Sequence, residues 1–201
     1  MNTHLSASVS IGWRRILLVG GLGGAVAGMM LALVEMIYGW ASPAHTFWDA
    51  PMAIWAWAGG ARHFGEPGNH VGPILLGLAG HMTNSMMLGI GFAALATIAL
   101  AGLRRRGATS PRAFGATALM AGLAYGLAAW AVMRYGILPL RGTSEAVLFT
   151  GSAVSPQWVW WLGHAALGMT AGAVFLAAEF VRRPRRQARA TPSRKTTLGA
   201  A

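Results

Sequence analysis

Four long apolar runs leave this chain few ways to fold. They cover residues 16–40, 74–103, 114–138 and 157–181. Each reaches the roughly 20 residues that carry an α-helix across a bilayer. Lipid offers no partner to backbone N–H and C=O groups, so a spanning segment is a helix or a strand of a closed barrel. The runs show no apolar/polar alternation and far exceed the ~10 residues of a barrel strand. The expectation is an all-α integral membrane protein with four transmembrane helices. Composition agrees: of 201 residues 55% are hydrophobic and 10% charged, against about 25% charged in soluble domains.

Charge placement orients the helices. The net charge of +11 comes from 16 Lys and Arg against five Asp and Glu. Thirteen of the basic residues precede the first run, fill the loop around Arg104–Arg106 and Arg112, or follow the fourth run from Arg182 to Lys195. Only Arg62, Arg134 and Arg141 fall on the other side. This asymmetry predicts cytoplasmic N and C termini for a multi-pass membrane protein. The chain divides into a cytoplasmic segment 1–15, a membrane domain 16–181 with a long periplasmic loop 41–73, and a basic disordered tail 182–201. That tail suits anionic lipid headgroups; with no aromatic or Gly-rich recognition pattern beside it, no nucleic acid is expected as a partner. The first run continues through Met29–Trp40, past the small-residue site at Ala25–Ala27, and so reads as a helix and not as a cleaved signal. Cysteine is absent, which removes disulfides and thiolate ligands.

The chain repeats on itself. At an offset of 83 residues, Val71, Pro73, Gly80, His81, Met86, Gly89 and Phe92 fall on Val154, Pro156, Gly163, His164, Met169, Gly172 and Phe175. At an offset of 97, Leu22, Ala27, Ala32 and Met36 fall on Leu119, Ala124, Ala129 and Met133. Two tandem helical hairpins follow, related by a pseudo-two-fold axis along the membrane normal. Gly20, Gly24 and Gly28, four residues apart, predict a helix-packing face. In the outer loop, Asp49 and Pro51 predict the start of a short interfacial helix. Trp40, Trp48, Trp55 and Trp57 suit an aromatic belt there, and "TSEAVLF" at 143–149 is a shorter counterpart.

Within so apolar a chain the buried ionisable residues stand out. His81 and His164 each lie eight residues after a proline, about 12 Å along a helix axis at 1.5 Å per residue. Glu35 lies eight residues before Pro43, at a similar depth. In an up-and-down bundle the second and fourth helices are diagonal, which brings the two histidines together at the axis, with Arg134 as counter-ion to Glu35. Intramembrane ionisable groups are costly and mark sites. Several roles are open to them. The two imidazoles suit axial ligation of haem b, with Gly80, Gly163 and Gly168 making room. His81, His164 and Glu35 suit a transition metal, with Met82, Met86 and Met169 as soft neighbours. With Asn84 and Ser85 they suit a proton relay or ion pathway. The leading reading needs no cofactor: each imidazole hydrogen-bonds across helices and holds their register. His45, His63 and His70 are further metal candidates in the outer loop.

The layout resembles the YagU-type family of small bacterial inner-membrane proteins. The likeness rests on Gly80-His81 and Gly163-His164 in the second and fourth helices, on "AGHMTN" at 79–84, and on the long loop after the first helix. It implies an inner-membrane location and a link to acid tolerance. No nucleophile–base set or nucleotide loop can be assembled from these residues, so no enzyme activity is expected. The function expected is that of a structural or assembly-type membrane protein of unknown activity. Its partners are the bilayer and a homo-oligomer or larger membrane complex.

Overall fold

The computed structural model describes residues 12–43, 45–59, 70–107, 111–141 and 155–190. Among them every regular element is helical. Four helices are long and apolar enough to cross a membrane: α1 (Trp13–Ala41), α3 (Val71–Arg105), α4 (Pro111–Val132) with its continuation to Leu140, and α5 (Gln157–Ala190). A shorter α2 (Asp49–Gly59) follows α1. The chain is an all-α membrane protein. Its large exposed side chains, among them Leu18, Leu22, Met87, Ile98 and Val132, are those of a lipid-facing surface.

Helix association in lipid gains little from apolar burial and depends on close packing of small residues. The glycines of α1 serve this end. A side chain at Gly20 or Gly24 would run into the backbone of α3 at Gly89–Ile90 or Ser85–Met86, and one at Gly28 would meet the Ser85 side chain. The second hairpin uses the same device, with Gly122 and Gly126 of α4 against Gly168 of α5. Measured against the sequence repeat, this second crossing matches the first to within one residue: Gly122 on Gly168 and Ala118 on Gly172 correspond to Gly24 on Ser85 and Gly20 on Gly89. The repeat puts Thr117 and Ala121 under Gly20 and Gly24, and Gly172 under Gly89.

The hairpins join through α1 and α5, where Gly23 meets Val174 and Gly163 meets Leu31. The expected meeting of α3 and α5 at a central axis is not found, because α1 packs on both of them and they touch each other little. At the arginine-rich end Glu179 of α5, 3% exposed, pairs with Arg15 of α1 and, at 3.0 Å, with Arg104 of α3. One carboxylate thus ties three helices. At the inner side of the bundle Ile16, Phe92, Leu100, Leu167 and Phe175 form the apolar core.

Two local features depart from expectation. Asp49 begins α2 but does not act as an ordinary cap. Its carboxylate reaches back to the Thr46 N–H at 3.0 Å and to the Thr46 hydroxyl, closing the turn from α1. α5 continues to Ala190, past the expected end at 181. The 143–149 counterpart, His63, and residues 191–201 lie outside the described residues.

Candidate functional site

The crossings described above leave a space at the α2 end of the bundle. α1 supplies its floor with Leu31 and Glu35, and α3 one wall with Leu76, His81 and Leu88. α5 contributes Trp160, His164 and Leu167, and α2 covers the space with Ile54, Trp55 and Trp57. The cavity measures about 550 Å³.

The fourth wall follows from one proline. Pro139 has no N–H, and its ring crowds the carbonyl four residues earlier, so a regular helix cannot run through it. The chain widens into a π-turn over Met133–Ile137 and then tightens into a 3₁₀ turn over Leu138–Arg141. The Leu138 N–H bonds back to the Met133 carbonyl. Met133, Ile137 and Leu138 thereby reach the cavity together. Such π-bulges are frequent at functional sites.

Beside them Trp130, 1% exposed, stacks on Trp160 with ring centroids 5.3 Å apart and planes 10° from parallel. It also tilts against the His164 ring at 4.9 Å. Ala50 and Ala53 of α2 pack on this pair, which holds the cover in place. Towards the arginine-rich end the Tyr125 hydroxyl donates to the Leu88 carbonyl at 2.9 Å, bridging α4 to α3 below the cavity.

The three expected residues line this one space. Glu35 is 4% exposed, and its Oε1 has no hydrogen-bond partner. His81 Nε2 lies 2.8 Å from the Gly28 carbonyl on α1, and His164 Nδ1 lies 2.9 Å from the Trp160 carbonyl on its own helix. A carbonyl oxygen only accepts, so the ring nitrogen facing it carries the proton in each case. His81 is left with Nδ1 as a lone-pair acceptor, and His164 with Nε2. Only His81 therefore bonds across helices; the expectation that both do so is corrected for His164. Asn84 and Ser85 also border the cavity.

Other expected participants lie elsewhere. Arg134 does not pair with Glu35; its guanidinium sits 5.3 Å from the Tyr135 ring centroid. Met86 and Met169 are exposed on the lipid side, and neither they nor Met82 border the cavity. Gly168 is consumed by the contact with α4 and Gly163 by Leu31, so of the three glycines only Gly80 lines the space. Among the described residues no three His, Asp or Glu side chains form a group that could hold a metal ion. His45 instead sits 3.4 Å from Asp49.

Comparison with known proteins finds no matching family, characterised protein or solved structure. The site's own chemistry is therefore what bears on function.

Sequence reasoning missed Trp130, Trp160 and Glu179. Trp160 reads as a residue of the interfacial aromatic belt and Trp130 gives no signal of its own, because their approach depends on the crossing of α4 and α5. Glu179 had a legible signal: it is an acidic residue at the depth where Arg15 and Arg104 enter the membrane.

Proposed function

We propose that this chain is a small multi-pass protein of the bacterial cytoplasmic membrane that binds a small, largely apolar molecule in the cavity beneath α2. The observation that carries this reading is the cavity itself. Its volume falls within the roughly 300–1,000 Å³ of small-molecule sites, and its apolar and aromatic walls carry a few convergent polar groups, as such sites do. A cluster that only held helix register would need no such space, since protein interiors close voids much larger than a water. The thirteen-to-three distribution of basic residues supports cytoplasmic termini, which places the cavity in the periplasmic half of the bilayer.

The test is thermal stability in detergent with three probes sharing one body: 4-phenylbutylamine, 4-phenylbutanol and 4-phenylbutyrate. A ligand that binds only the folded state raises the melting temperature. At least one probe is expected to do so for the native chain and not for Gly80→Leu. A Cβ at Gly80 meets nothing closer than Ile54 at 3.8 Å, so the variant fills the cavity and leaves the helix contacts alone. Equal shifts in both proteins, or none in either, would overturn the reading.

A second reading draws on the two imidazoles. Metal-bound histidines donate their other N–H to a carbonyl or carboxylate, and His81 and His164 both make that bond. Haem b held by the pair predicts a Soret band in the purified protein that is lost in His81→Ala and His164→Ala.

A further inference from the structure

The groups in the cavity that lack a partner are nearly all of one kind. Glu35 Oε1 is buried and unbonded. His81 Nδ1 and His164 Nε2 are left as acceptors by the carbonyls that hold the opposite ring nitrogens. Against these stands the buried Trp130 indole N–H, which has no hydrogen-bond partner either. Among the described residues no lysine or arginine lines the cavity. Buried polar groups are almost always satisfied, and those that are not call for an explanation such as a missing ligand. Three acceptors, one of them a carboxyl, call for a ligand that donates hydrogen bonds and carries positive charge.

The walls make the same demand by a different route. Four indoles, Trp55, Trp57, Trp130 and Trp160, line the space. An indole face attracts cations through its quadrupole, more strongly than any other aromatic side chain and most of all where water is excluded. The remaining lining, including Leu31, Ile54, Leu88 and Leu167, suits an apolar body. Leu76 and Asn84 are cavity residues that are also exposed on the lipid side of α3, so a membrane-dissolved molecule has a way in from the bilayer.

Resting on the reading that the cavity binds a small molecule, we infer that its ligand is a protonated lipophilic amine. The ammonium pairs with Glu35, the imidazoles of His81 and His164 border the same space, and the apolar body lies among the tryptophans. The site is a cation receptor built into the membrane domain.

The experiment uses the full-length chain in detergent, titrated with 4-phenylbutylamine and with 4-phenylbutanol, and binding is read by calorimetry. The amine is expected to bind at least about tenfold more tightly than the alcohol, since loss of one partner of a buried charge pair is costly. Glu35→Gln should remove most of that difference, with the alcohol still bound. Trp130→Leu should weaken amine binding by roughly 2–30-fold, the range of a desolvated cation–π contact.

Unfolding is controlled for by the alcohol, which both variants should still bind. Equal affinity for amine and alcohol, or an amine preference that survives Glu35→Gln, overturns the cation assignment and leaves the cavity reading standing. Failure of both probes to bind the native chain overturns the cavity reading itself.

Discussion

His81 and His164 occupy matching positions in the sequence repeat but have different work. His81 joins α3 to α1 through the Gly28 carbonyl, whereas His164 is bonded within α5 and braced by the Trp130 ring. Polar contacts between membrane helices average about 0.6 kcal/mol. His81→Ala should lose that contact and weaken the α1–α3 pairing. His164→Ala breaks no bond between helices and should act through its packing against Trp130. Their effects on thermal stability should add, because the two rings share no hydrogen-bond partner. A coupling above about 0.5 kcal/mol in the double variant would show that they act as a unit, as common ligands of one metal or haem would.

At the scale of helices, two glycine crossings set the architecture. Gly89 is wedged against Gly20 and Gly24, and Gly168 against Gly122 and Gly126. An added methyl at either position meets backbone, which cannot turn aside. Overpacking of this kind costs about 1–3 kcal/mol, sometimes more. Gly89→Ala and Gly168→Ala should each lower thermal stability by amounts in that range. Gly102→Ala is the matched control on the same helix as Gly89, for nothing lies within 4 Å of its added Cβ. Equal effects at Gly89 and Gly102 would mean that the crossing is looser than its geometry. The two histidines stand at matching heights in their crossings: the His164 carbonyl faces Gly126, and the His81 ring faces Gly28.

For the whole molecule the charges at the two ends differ in kind. The arginine-rich end is closed by Glu179 between Arg15 and Arg104, with Arg104 itself 44% exposed to solvent. The α2 end holds the cavity and, among the described residues, has little charge. With the positive-inside rule this predicts that reporter fusions at Gly107 and Ala201 behave as cytoplasmic, and those at Asn69 and Thr150 as periplasmic. A cytoplasmic signal at Asn69 would invert the protein and place the cavity in the inner half of the bilayer.

Much of this protein could be read without coordinates. Length and apolarity alone determine four spanning helices, because lipid admits no other way to satisfy the backbone of runs this long. The depth of Glu35, His81 and His164 follows from helical rise, so their common level was legible too. The Gly20–Gly24–Gly28 face was readable as a spacing. What only the tertiary structure decided is lateral: which helices are neighbours, and how far each crossing slides. Small-residue faces permit close approach at several registers, and the choice among them depends on contacts between distant segments. That choice put α1 between α3 and α5 and set Trp130 against Trp160. It left between them the cavity in which Glu35 has no partner of its own.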